Sequence, residues 1–87
     1  MAVYMVERDL PEITMEQLAA AQQAAIETSQ QFTASGKPVR YIRSVFVPGD
    51  SRCMCLFEAD DIGAVEEVNK SAQIPFTRVV EALDLTP

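Results

Sequence analysis

The stretch Val39–Glu58, VRYIRSVFVPGDSRCMCLFE, decides how the rest of the chain is read. Two runs rich in β-branched and aromatic residues, Val39–Val47 and Arg52–Glu58, flank Pro48-Gly49-Asp50-Ser51, a tight-turn composition, so the segment reads as a β-hairpin. A four-residue loop sets Val47 opposite Arg52. Counting back pairs Val45 with Met54, Arg43 with Leu56, and Tyr41 with Glu58 on one face. The other face carries Ile42, Ser44, Phe46, Cys53, Cys55 and Phe57. This second set is the more apolar, and it is assigned to a core covered by helices.

Working outward, Ala2–Asp9 (AVYMVERD) is a strand, because Val3, Tyr4, Met5 and Val6 suit a sheet covered on both faces. Leu10-Pro11 ends it. Thr14 is an N-cap with Gln17 three residues on, the spacing of a capping box, and Ile13 and Leu18 bracket it as a hydrophobic staple. The helix that follows is rich in Ala and Gln and stops near Ser35, where Gly36 is a natural C′ residue and Pro38 forbids continuation. Beyond the hairpin, Asp60 and Asp61 open a second helix that runs to about Ala72, and Thr77–Leu83 forms a fourth strand. The order is β-α-β-β-α-β with short connections. It predicts a single α+β domain over residues 1–87, of the ferredoxin-like type, with a four-stranded antiparallel sheet in order 4-1-3-2 and two helices on one face.

Composition narrows the function. A chain of 87 residues builds a small core, and self-association is a common way to add buried area at this size. No apolar run approaches the ~20 residues that span a bilayer, and Met1–Asp9 lacks an apolar signal core, so a cytoplasmic protein with no membrane partner is expected. Thirteen acids against seven bases give a net charge of −6. With no basic stripe, this argues against nucleic acid as a partner. The absence of histidine removes imidazole–metal sites and the usual Ser/His/Asp chemistry.

Two amides interrupt apolar stripes. On the first helix Gln22 falls among Met15, Leu18, Ala19, Ile26 and Ser29; on the second, Asn69 falls among Ile62, Val65 and Ala72. Either they bond backbone groups or each other, or turn outward, or they face a common interior site with Glu7 near its edge. Cys53 and Cys55 point the same way from one strand. Their Cβ atoms are expected roughly 6–7 Å apart for a rise of about 3.3 Å per residue, too far for a disulfide. They read as reduced, metal-free buried hydrophobes, or alternatively as a soft-metal or reactive-thiol pair. The opposite sheet face mixes Tyr41, Arg43, Arg52 and Glu58 with Val45, Val47, Met54 and Leu56. Such a face expects a second copy of the chain, its charged members serving as interface ion pairs or as the lining of a pocket between subunits. Glu7 and Glu81 are further strand carboxylates able to act as bases if desolvated.

YMVERDLP at the start, TMEQLAAAQQAA in the first helix, RCMCLFEADD in the third strand and AVEEVNKSAQIP in the second helix resemble, in order and spacing, a family of small bacterial proteins of unknown function, some described as nickel-binding. The resemblance covers nearly the whole chain and implies a ferredoxin-like fold paired as a dimeric α+β barrel. It also implies that the histidines of metal-binding members fall near Glu7, at Gln22 and near Asn69, where this chain has a carboxylate and two amides. Oxygen and amide donors serve nickel poorly beside imidazole, so no metal and no other cofactor is expected. Three functions remain: a homodimeric protein holding a small ligand or metal in a polar cavity; a small dimeric enzyme of the monooxygenase or isomerase kind using Glu7, Arg43 or Glu81; and an accessory dimer without a site.

Overall fold

The computed structural model describes residues 1–87. Its elements are β1 (Ala2–Asp9), α1 (Met15–Ala34), β2 (Val39–Val47), β3 (Arg52–Ala59), α2 (Ile62–Ser71) and β4 (Arg78–Ala82). The sheet order is β2-β3-β1-β4 with every neighbouring pair antiparallel, which is the predicted 4-1-3-2 read from the other edge. The fold is therefore ferredoxin-like α+β. The fourth strand is shorter than expected at both ends.

Local chemistry sets the boundaries. Thr14 and Gln17 form the reciprocal capping box at the start of α1, and Asp61 caps α2 by accepting from Ala64 N at 2.8 Å. Ser35 closes α1 and Gly36 follows at φ 95°, the left-handed conformation that an L side chain resists. The core lies between helices and sheet, with Val6, Phe57, Val65 and Val68 fully buried. α1 packs chiefly against β2 and α2 against β3 and β4.

One register expectation fails. β2 and β3 pair as predicted from Val47–Arg52 to Arg43–Leu56, but Tyr41 then lies opposite Phe57, not Glu58. Ile42 is an extra residue, a β-bulge. Because side chains alternate along a strand, one inserted residue transfers everything beyond it to the other face. Tyr41, expected on the outer face, instead packs edge-on against Phe57 with ring centroids 5.5 Å apart. Strict alternation cannot register a bulge, and no glycine marks this one.

The stripe on α1 is also rotated. Ala25, Thr28 and Ser29 are its buried residues, while Met15 is 77% exposed. Small residues let the helix sit close to the sheet, and Ser29 Oγ folds back onto Ala25 O at 2.7 Å, satisfying its hydroxyl inside the helix. The longer side chains of the expected stripe are displaced to one edge, where they border a groove.

Candidate functional site

The groove, about 220 Å³, lies between α1 and the inner face of β2 and β3. Leu18, Ala21 and Ala25 form one wall and Phe46 and Ile74 contribute apolar surface; Cys53, Cys55, Ser44, Tyr41, Gln22 and Arg8 supply its polar atoms. The alternation of β3 puts both thiols on this face, as expected, and both are buried and free. Their Sγ atoms are 3.8 Å apart, closer than the Cβ estimate suggests because the side chains lean together.

A directed chain of hydrogen bonds ends on Cys55. Gln22 Nε2 donates to the Tyr41 hydroxyl at 2.9 Å. Tyr41 and Ser44 oxygens lie 2.6 Å apart, and Ser44 Oγ donates to Cys55 Sγ at 2.9 Å. With the Ser44 hydrogen committed to sulfur and the Gln22 amide donating to the Tyr41 oxygen, the Tyr41 hydroxyl is left to donate to Ser44 Oγ. The bulge at Ile42 makes this chain, since it brings Tyr41 to the groove.

Arg8 is the residue that sequence reasoning missed. It is only 2% exposed. Its guanidinium donates to Asn69 Oδ1 at 2.9 Å and to Pro75 O at 3.3 Å, both neutral acceptors. None of the chain's ion pairs includes it. A buried cation favours an anion beside it, and the thiols are the ionisable groups next to it in the groove. The hydrogen bond between the two thiols, with the charge of Arg8 and the Ser44 hydroxyl, holds the Cys55 pKa well below the ordinary thiol value against the effect of burial. The same bond, with burial, pushes the Cys53 thiol up. Cys55 is thus the more acidic thiol of the pair. The signal for Arg8 lay in the alternation of β1: it falls in phase with the inward residues Tyr4 and Val6.

This difference in acidity predicts selective alkylation. Thiolate is the nucleophile, so reactivity rises with pH through the thiol's pKa. Iodoacetamide at pH 7 is expected to label Cys55 before Cys53, at a rate already on its plateau, whereas the denatured chain still gains rate up to about pH 9. Peptide mapping after brief exposure reads the outcome; equal labelling of both thiols would contradict the assignment.

The three other candidates do not converge. Asn69 is fully buried, its Nδ2 donating to Val65 O at 2.8 Å and its Oδ1 held by Arg8; it backs the groove through Arg8 but does not line it. Gln22 is exposed on the rim. The two amides therefore share no cavity. Glu7 pairs in register with Met54, one residue out of phase with the Arg8–Cys53 pair, so it lies on the outer face and not at the edge of the groove. There it bonds Arg52 at 2.8 Å and Arg78 closely. Arg43 pairs with Asp84 and Glu58 with Arg40, while Glu81 is exposed. No group of three His, Cys, Asp or Glu side chains gathers to hold a metal ion.

Fold and site together define a small ferredoxin-like domain with an open groove over a polarised thiol pair. The chain belongs to the SCO4226-like family, described as nickel-responsive proteins, whose profile matches residues 4–82. The crystal structure of SCO4226 from Streptomyces coelicolor A3(2) is similar, with a TM-score of 0.82 over 98% of this chain and 100% of that one at 22% identity, a likeness that bears on the fold. No curated protein sequence matches the chain. The residues present do not fit nickel as the family resemblance would place it. Glu7 is neutralised by two guanidiniums on one face of the sheet, Asn69 is committed on the other, and Gln22 is at the surface.

Proposed function

We propose that this chain is a homodimeric binding protein that takes a small, mainly apolar compound with one polar end into the groove between α1 and the β2–β3 hairpin, and that it does not hold the nickel of its family's description. The supporting observation is the groove itself: walls of Leu18, Ala21, Ala25, Phe46 and Ile74 around a single polar corner built by Tyr41, Ser44, Cys55 and Arg8. Apolar walls with a few placed polar groups are the ordinary composition of a small-molecule site. An enzymatic role is less well supported. Glu7 and Arg43, two of the groups expected to act as acid or base, are held in ion pairs and lie outside the groove, and Glu81 does not line it.

The groove is testable without knowing its natural occupant. 8-Anilinonaphthalene-1-sulfonate, an apolar dye with one anionic end, is expected to bind once per chain with enhanced fluorescence. Ala21→Phe, which fills the groove from its wall, should abolish that binding while the protein still melts cooperatively. Dye binding that survives in the filled variant would place the site elsewhere and overturn the proposal.

A further inference from the structure

Two thiols side by side on one strand, a buried cation beside them and an open groove above them form an arrangement that an apolar ligand does not require. We propose that Cys53 and Cys55 form a binding site for a monovalent soft metal ion of the copper(I) or silver(I) class, with an open coordination position facing the groove. This inference is independent of the apolar ligand and of the dimer.

Geometry comes first. Two metal–thiolate bonds of about 2.3 Å span the observed Sγ separation of 3.8 Å at an angle of about 110°. The side chains are thus already spaced as two ligands of one ion. Softness comes second, since thiolate donors favour copper(I) over the harder divalent ions. Donor count comes third. No third His, Cys, Asp or Glu joins the pair, which leaves a divalent ion short of protein ligands, whereas the angle of about 110° leaves a monovalent ion one further position, open to a ligand from the groove. The other sulfur lining the groove is the thioether of Met15, on the rim.

Charge comes last. Arg8 is buried, its two oxygen acceptors are neutral, and it is the cross-strand neighbour of Cys53. On binding, each thiol hydrogen still present passes to solvent as its sulfur–metal bond forms, and no electron is transferred. Two thiolates and one M⁺ sum to one negative charge, a counter-charge for the buried guanidinium. A divalent ion would neutralise the pair and leave Arg8 uncompensated in a buried setting. The expectation of a metal-free pair rested on the same-face strand geometry and the missing imidazoles; the Sγ atoms in fact approach to 3.8 Å, and a thiolate-bound soft ion does not need imidazole.

Silver(I), which is redox-inert, is the probe, added to reduced protein in chloride-free buffer and read by native mass spectrometry. One silver per chain is expected. Cys53→Ser and Cys55→Ser should each lower affinity by more than the about 100-fold that loss of an outer-shell partner costs. A second readout needs no variant: stoichiometric silver should block alkylation of both thiols in the wild type. Failure to retain silver, silver that leaves either thiol open to iodoacetamide, or equal retention by the double serine variant would each overturn the site.

Discussion

Val45→Asp combined with Met54→Glu is expected to give monomer or unfolded chain in sedimentation, where the proposed homodimer predicts a dimer for the wild type. Val45 and Met54 are cross-strand partners at the centre of the outer face of the hairpin. Register extends that face to Met5 beside Leu56 and Val80 on the neighbouring strands. Val45 is 56% exposed, although its neighbours are large and apolar. The helices lie on the opposite face and cannot cover this one. The charges around it are already satisfied within the chain: Arg52 and Arg78 by Glu7 and Asp9, Arg43 by Asp84, Arg40 by Glu58. What is left for a partner is apolar surface with internally neutralised ion pairs at its margin, suited to a second copy of the same face. A lasting pair buries at least ~1,000–2,000 Å² in total. Two carboxylates per chain placed at its centre would have to be desolvated without partners, a cost that no surface ion pair offsets. A folded dimer of the double variant would remove this face from consideration.

Asn69→Leu is expected to be the most damaging single substitution at the site, lowering stability by roughly 1.5–3 kcal/mol, the range for a hydrogen bond to a charged group. For a domain of this size that lowers Tm by roughly 10–20 °C. Asn69 is fully buried and bridges two elements, α2 through Val65 O and β1 through Arg8. Leucine supplies volume but no acceptor, so the guanidinium loses the shorter of its two oxygen contacts in a place water does not reach. Gln22→Leu is the natural control. Gln22 is exposed and its amide meets Tyr41 at the rim, so its loss should change stability by less than about 1 kcal/mol. Thermal melting of both variants separates the two amides; equal effects would mean that their environments are alike.

These amides mark where sequence reasoning reaches and where it stops. Both interrupt apolar helical stripes, and that much is visible in the spacing. Asn69 does lie in the core, but the α1 stripe is turned so that Ala21 and Ala25 face inward and Gln22 does not. An alanine-rich helix presents small residues on several faces, and its pattern does not fix its rotation. The boundaries of the first three strands to within a residue, the helix starts and the sheet order were legible because turn and capping residues act locally. The bulge at Ile42 was not, because it answers to packing of Tyr41 on Phe57 and to the Ser44 hydroxyl, contacts made across the fold. The thiol pair was legible as a same-face pair. Its environment was not read, although the alternation of β1, which turns Arg8 inward beside Tyr4 and Val6, carried the signal.

The family's fold is retained here while the side chains that resemblance assigns to nickel are separated by the sheet and tied to other partners. Native mass spectrometry of the wild-type protein after exposure to nickel chloride tests this most directly, because it reports subunit count and bound metal together. The expected spectrum is a dimer carrying no nickel. A dimer with one nickel per chain would show that Glu7, Gln22 and Asn69, or the thiols, hold the family's metal after all.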